Sequence, residues 1–384
     1  MVSRRHIIAW LGATLALVCV STWLFAAERR GTLPAGHFDP MPHPHWPVTP
    51  ARADAVRREA LIRAAVRVPN SHAARAIASG EADPLRPPGT EPVTCRYLAE
   101  EPSGTSAKFN CVLDGGEIIK VKYGRNSEIH AETAATRLLE SLGYPADDVL
   151  IVPRVRCYGC PRFPFLTTQL LSIARVPTLI GPHGYDEWYT DFEWPAVERR
   201  FGAPAIETPT TEGWAWFELK SSQAPRADLD ALRLLAVLLA HWDNKSENQR
   251  LVCLDAVPAQ PDQPCAQPLL MIQDLGATFG PTKVNIAAWR DMPVWAERRT
   301  CTVSMKPLPY RGATFPDARI SESGRAQLAQ ALSALSRDHI EALFTDAHFP
   351  EFQSGTDDRR DLQAWVSAFE HRVRQIATAG PCPV

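Results

Sequence analysis

Between His241 and Asn248 the chain reads His-Trp-Asp-Asn-Lys-Ser-Glu-Asn, and Asp274-Leu275-Gly276 follows after a Pro-rich connection. Asp243 has the chemistry to accept a proton from a hydroxyl. Lys245, two residues on, has the charge to offset a developing anion. Asn248 and Asp274 offer a neutral and an anionic oxygen, the donors that Mg2+ and Mn2+ prefer. Nearer the N-terminus, Lys122 ends the run Ile119-Lys120-Val121-Lys122. A base, two oxygen donors and lysine charge are what phosphoryl transfer asks for, because that reaction needs positioning and charge neutralisation more than covalent help. Taken singly, each pattern is also what a loop cap or a strand end produces. The full octet with Asp-Leu-Gly after it is more specific.

The frame H-x-D-x-K-x-x-N resembles the protein-kinase catalytic loop, and Asp274-Leu275-Gly276 resembles the Asp-Phe-Gly element that follows it. The chain is therefore similar to the protein-kinase-like superfamily. The closer resemblance is to its atypical branch: secretory-pathway, spore-coat and bacterial toxin-type kinases. That resemblance implies an α+β, two-lobed fold, with a small β-rich N-lobe and a larger helical C-lobe. It implies ATP as cofactor with Mg2+ or Mn2+, Asp243 and Lys245 as catalytic residues, and Asn248 and Asp274 as metal ligands. Lys122 would hold the α- and β-phosphates and pair with Glu132; Lys120 and Glu128 are the second choices. Gly104, Ser106 and Lys108 stand where the superfamily has its phosphate loop, and Lys108 either adds charge there or is a surface residue. Trp242 replaces the arginine of the usual His-Arg-Asp, and no Ala-Pro-Glu element follows Asp274. The implied activity is transfer of the γ-phosphate of ATP to a hydroxyl of a protein, a sugar or a small molecule. Nucleotidyl transfer on the same fold and a pseudokinase scaffold are the alternatives.

These residues need elements to hold them. Cys95–Ala99, Phe109–Leu113 and Glu117–Tyr123 read as strands, the last two joined by a tight turn at Asp114-Gly115-Gly116. Asn126 or Ser127 can cap a helix running to about Leu142, with Glu128, Glu132, Ala135, Leu139 and Leu142 on one face. Leu150–Val155 and Phe165–Leu170 would complete the sheet. Residues 180–213 read as an insertion. Leu229–Leu239 is apolar nearly all round and predicts a buried helix leading into His241. Arg250–Leu254 and Leu269–Ile272 predict a hairpin. Helices are expected from Ser321 and Ser336 and over Arg359–Ala377.

The 384 residues suffice for one such unit behind an N-terminal extension. Expected divisions are an anchor or signal peptide over 1–30, a Pro-rich linker with a short helix over 31–90, and the kinase-like domain over 91–384. The N-lobe is placed at about 91–175 and the C-lobe at about 176–384. Net charge is −2, so no broad basic field is present to recruit nucleic acid. Seven of the 41 basic residues are lysine, and Lys108, Lys120, Lys122 and Lys245 are four of those seven.

Arg4 and Arg5 precede an apolar run, Ile7–Ala27, long enough to span a bilayer. Trp23, Leu24 and Phe25 crowd the cleavage position, which favours an anchor over a cleaved signal peptide. The expected partner is then the membrane, met through an N-terminal apolar helix, beside an unknown hydroxyl-bearing substrate. The basic flank places the remainder outside the cytoplasm, on the periplasmic or secretory side. His37, His43 and His45 fall in the linker. Eight of nine cysteines follow the apolar run, an even number that suits disulfides in an exported segment. Cys95–Cys111 and Cys253–Cys265 are the preferred local bridges. Cys157-x-x-Cys160 also fits half a zinc site or a redox pair.

Overall fold

A computed structural model describes residues 49–68, 85, 91–100, 104, 106–173, 188–208, 211–255, 264–308, 315, 317–349 and 362–383. They lie in one compact unit, Val48–Val384. It is a mixed α/β unit with a sheet lobe and a helical lobe.

The sheet is seven-stranded, in the order β4-β7-β3-β2-β1-β5-β6. Its strands are β1 (Val93–Leu98), β2 (Lys108–Leu113), β3 (Ile118–Lys122), β4 (Asp148–Ile151), β5 (Arg154–Tyr158), β6 (Tyr189–Glu193) and β7 (Ala196–Arg199). β2 and β3 form the expected hairpin, closed where the Gly116 N–H donates to the Leu113 carbonyl at 2.8 Å. Its register sets Lys108 opposite Lys122. On the other edge of β3, β7 runs antiparallel, with Glu198 opposite Lys120. Alternation along β2 puts Phe109, Cys111 and Leu113 inside. There they meet Val93, Cys95, Ile119, Val121 and Val155.

Helix α1 (Pro50–Arg63) precedes the sheet, and helix α2 (Ser127–Ser141) follows β3. The Asn126 side chain caps α2 by accepting from the Glu128 N–H at 3.1 Å. Small residues, Ala131, Ala134 and Ala135, lie fully inside, with Leu138 and Leu139 a turn later. This lets α2 pack closely on β4. Helix α1 lies within the expected linker, yet it is built into the fold. The Arg57 guanidinium donates to the Gly213 carbonyl at 2.6 Å and pairs with Glu218 at 2.9 Å. Ala65 bridges to Leu269.

The remaining elements form the helical lobe, apart from α3 (Pro164–Ile173), which packs on β2. They are α4 (Arg226–Leu239), a β8 (Gln249–Cys253)–β9 (Pro268–Ile272) hairpin, α5 (Ile286–Asp291), a short β10 (Thr302–Val303)–β11 (Ala318–Arg319) pair, α6 (Glu322–Ser333), α7 (Arg337–Asp346) and α8 (Leu362–Ala377). Leu232, Leu234, Leu235 and Leu238 of α4 are all buried, as its apolar circumference requires. Ser321 and Ser336 cap α6 and α7. Below α4, Phe279, Trp289, Phe344, Phe349 and Trp365 pack edge to face and stacked.

Three expectations are corrected. Phe165–Leu170 is helix, not strand: Pro164 stands at its first turn, where its missing N–H costs nothing, and the Thr168 hydroxyl donates back to the Pro164 carbonyl at 2.8 Å. Residues 188–199 are not an insertion but carry β6 and β7, so the sheet extends to Arg199, past 175. Their signal was weak because β7 is four residues, three of them buried, with no alternation to read. The expected membrane partner is the third. No helix among the described residues is long and apolar enough to cross a membrane. A span takes about 20 apolar residues, whereas α8, the longest described helix, has 16 and is amphipathic. The run Ile7–Ala27 and the linker histidines lie outside the described residues.

Four disulfides pair the eight cysteines among the described residues: Cys95–Cys111, Cys157–Cys160, Cys253–Cys265 and Cys301–Cys382. The first and third are the local bridges expected from spacing. The second spends the Cys-x-x-Cys pair on a disulfide instead of on zinc. Such pairing fits an extracytoplasmic, oxidising compartment. Cys301–Cys382 spans 81 residues, a loop whose closure stabilises by about 4.5 kcal/mol in the chain-entropy account. Thiol titration of the unfolded, non-reduced full chain should find one thiol, Cys19. Finding seven or eight in protein from its own compartment would overturn this. The double variant Cys301→Ser/Cys382→Ser should lose roughly 2–5 kcal/mol in denaturant unfolding.

Candidate active site

Helix α4 delivers the His241–Asn248 loop. It ends at Ala240, whose φ of 55° is left-handed. The turn sends the chain back, and the His241 N–H donates to the Ala236 carbonyl at 3.0 Å. Side-chain amides then pin the loop from inside. Asn244 Nδ2 donates to the His241 carbonyl at 2.7 Å and Gln249 Nε2 to the Asn244 carbonyl at 3.2 Å. Asn248 Nδ2 donates to the Asp243 carbonyl at 2.8 Å. The Asn248 amide oxygen is thereby left as its donor atom for a cation. Gly213, with φ 56°, backs the loop, and a Cβ there would stand 2.1 Å from the Ser246 carbonyl oxygen. No side chain fits that space.

Asp274 follows β9 at a left-handed φ of 53° and is exposed. The end of β9 is sewn to the loop, since the Gln273 N–H donates to the Asn248 carbonyl at 3.1 Å. Leu275 is buried, and Gly276 lies against α2: a Cβ there would come within 2.9 Å of the Glu128 Cβ. The glycine of Asp-Leu-Gly is thus a close-approach residue between the two lobes.

On the sheet, the Lys122 ammonium is buried and pairs with Glu132 of α2 and, at 3.0 Å, with Glu198 of β7. Lys120, less buried, pairs with the other oxygen of Glu198 at 2.5 Å. Burial works against the charged lysine, but Glu132, Glu198 and Asp274 together hold its pKa well above the ordinary value. Burial raises Glu132 to about 7, against the pull of Lys122. Glu198 goes the other way: despite burial, Lys122 and Lys120 hold its carboxyl far below the usual range. Lys108 is lowered by burial and then by Lys122. The Ser106 hydroxyl donates to Glu128, and the Lys108 ammonium lies beside Gly104.

Asp274 links the two halves. Its charge acts on Lys122, Lys108 and Glu132 from the sheet side, and on His241 and Asp243 from the loop side. Asp243 is half-buried, its Oδ1 has no hydrogen-bond partner, and burial raises its pKa while Lys245 lowers it. A carboxylate so raised is the better proton acceptor. Asp274 thus lies within electrostatic reach of Lys108, Lys122, Glu132 and Asp243, Lys245 acts on Asp243, and Asn248 is bonded to the Asp243 carbonyl. Ser106 is turned to Glu128. The Asn248 amide oxygen and the exposed Asp274 carboxylate are hard-oxygen donors, the chemistry that Mg2+ or Mn2+ takes. Glu198 was missed by the sequence reading; it sits in a segment with no periodic signal. A cavity of about 290 Å³ lined by Val93, Arg137, Leu150, Val152, Asp346 and His348 includes none of these residues.

His241 is fully buried, and its imidazole is driven down to about 4 by burial, against the opposing charge and backbone of Asp274. The unfolded chain protonates this residue near pH 6.5, so between 6.5 and 4 it binds more protons than the folded chain. Stability is fully present above that window and is lost as pH falls through it, by roughly 3 kcal/mol. Denaturant midpoints against pH, in metal-free buffer, should fall across this window. His241→Gln should flatten that limb. An unchanged slope in the variant would assign the acid sensitivity to other groups.

No family model matches the chain, and no curated protein matches it. Solved structures do. The proinflammatory kinase CtkA of Helicobacter pylori is similar at 8% identity and TM-score 0.40, over 74% of this chain and 96% of that one. The Golgi casein kinase with Mn/ADP bound is similar at 12% identity and TM-score 0.33, over 85% of each chain. The HipA–HipB toxin–antitoxin complex of Shewanella oneidensis MR-1 with its operator DNA is similar at 12% identity and TM-score 0.26, over 82% of this chain and 70% of that one.

Proposed function

We propose that the chain is an atypical kinase that transfers the γ-phosphate of ATP to a hydroxyl group. The observation that carries this is the buried Lys122–Glu132 pair set within electrostatic reach of Asp274, whose charge also acts on Asp243. A lysine fixed for phosphate and a base fixed for a hydroxyl thus share one cleft. The four disulfides support work in an extracytoplasmic compartment. The sheet down to Arg199 is the nucleotide lobe and the helices after it are the second lobe.

In this reading Lys122, kept protonated by its carboxylates, holds the α- and β-phosphates. Lys108, whose pKa is lowered by burial and then by Lys122, stands beside Gly104 and adds charge at the phosphate loop. Ser106 is held by Glu128 and orders that loop against α2. Asn248 and Asp274 would hold Mg2+ or Mn2+, which when bound neutralises charge on the triphosphate. Asp243 takes the proton of the attacking hydroxyl. The hydroxyl oxygen forms the new bond to phosphorus as the bond to the β-phosphate oxygen breaks, and ADP leaves. Lys245 offsets charge on the transferring group.

The test separates base from metal ligand. Asp243→Asn keeps the shape and should bind ATP, with metal present, within about threefold of the parent. Its turnover should fall by about 10²- to 10⁴-fold, the range for a lost general base. Asp274→Ala should lose both metal-dependent binding and turnover. The measurements are a nucleotide titration with and without Mg2+ or Mn2+ and an assay of ADP release. An Asp243→Asn chain with normal turnover would overturn the assignment. Release of pyrophosphate in place of ADP would replace it with nucleotidyl transfer.

A further inference from the structure

Lys122 has two carboxylate partners where one would neutralise it, and they come from different parts of the fold. Glu132 belongs to helix α2, which touches the sheet only through side chains. Glu198 belongs to β7, which is hydrogen-bonded along its length to β3, the strand that carries Lys122. The register puts Glu198 directly opposite Lys120, with Lys122 on the diagonal and on the same face. The Glu198 carboxylate faces both lysines: Oε1 accepts from the Lys120 ammonium at 2.5 Å, and Oε2 lies 3.0 Å from the Lys122 ammonium as an ion pair. It is 3% exposed. A second buried acid beside two lysines costs desolvation and repels Glu132. Neutralisation of Lys122 alone does not account for it.

We propose that Glu198 is a positioning residue, a carboxylate bridge that ties the Lys122 ammonium to the sheet and fixes where it points. The inference rests on the kinase reading, in which Lys122 holds the phosphates. Lys120 then has a definite part. It occupies the second oxygen of Glu198 and holds the bridge in place. Two like charges on alternate positions of one strand face would otherwise repel each other, and the bridge converts that repulsion into a fixed spacing. Lys122 thereby keeps its aim from the strand side, independently of α2. Asp147 lies next to β4 on the far side of β7, and its carboxyl is raised by burial and then by Glu198. It is a neighbour of the bridge, not part of it.

Charge and position make opposite predictions for Glu198→Gln. If Glu198 were only a negative charge near the phosphates, removing it would tighten nucleotide binding and leave turnover alone. If it positions Lys122, turnover falls and binding does not tighten. We expect kcat to fall by about 10- to 100-fold, the scale of an ångström-sized misplacement, with the ATP dissociation constant within about threefold of the parent. Glu198→Asp keeps the charge but shortens the reach, and should give an intermediate kcat. The double variant Lys120→Met/Glu198→Gln removes both charges together, so no ion is left unpaired and folding is protected. It should be as slow as Glu198→Gln. A double variant with the parent's kcat, or a Glu198→Gln chain that binds ATP more tightly at unchanged kcat, overturns the inference. Lys122→Ala is the control on the reading beneath it. If that variant turns over ATP like the parent, the kinase assignment itself falls. If it is inactive while the double variant is not, only the role of Glu198 falls.

Discussion

A buried ammonium is the constraint around which this molecule is arranged. Lys122 is buried between Glu132 of α2 and Glu198 of β7, where an unpaired charge costs several kcal/mol. Its presence there requires a carboxylate from the helix, so α2 must dock with Glu132 inward. β7, paired along the other edge of β3, brings Glu198 to the same ammonium. Alanines at 131, 134 and 135 give the helix its close approach. Burial of the pair follows from that packing, and the packing is only tolerable because the pair is complete.

The loop side obeys a different rule. Few charges are buried there; instead backbone groups are satisfied one by one by amide side chains. Asn244, Asn248 and Gln249 each spend an Nδ2 or Nε2 on a carbonyl of the loop. Asp243 Oδ1 has no hydrogen-bond partner among the described residues, and neither have the two His241 ring nitrogens, Trp242 Nε1, Asn244 Oδ1 and Gln249 Oε1.

What was legible in the sequence was local. The octet 241–248 could be read because its spacing is short and its loop is held by residues inside it. The α2 cap, the β2–β3 turn and the two serine caps are likewise interactions over two to four residues. Apolar circumference marked α4 correctly for the same reason. Glu198 was not legible, because its partners are 78 and 76 residues away and meet it only through the register of β3 with β7. Phe165–Leu170 misled because an apolar run of that length fits strand or helix equally, and the decisive signal was one proline at its start. Two of the disulfides follow from spacing, but Cys301–Cys382 joins residues 81 apart. It depends on how α6 and α8 pack.

The C-terminal helix shows how far the support of the site reaches. Arg372 of α8 is fully buried, and its guanidinium meets carbonyl oxygens: Val237 at 2.9 Å, Leu238 at 3.0 Å, Trp289 at 2.7 Å, and Met292. It has no carboxylate partner among the described residues, and burial brings its pKa down to about 9. The compensation is the end of a helix. Val237 and Leu238 belong to the last turn of α4, whose carbonyls carry partial negative charge; the Val237 carbonyl also accepts from the Ala240 N–H at 3.0 Å and the Leu238 carbonyl from Trp289 Nε1 at 2.8 Å. A fixed, planar cation satisfies several at once, which a lysine's single ammonium does less well. Two residues later α4 turns through Ala240 into His241. The aim of Asp243 therefore depends on a residue near the end of the chain, and Cys382, bonded to Cys301, holds that end in place.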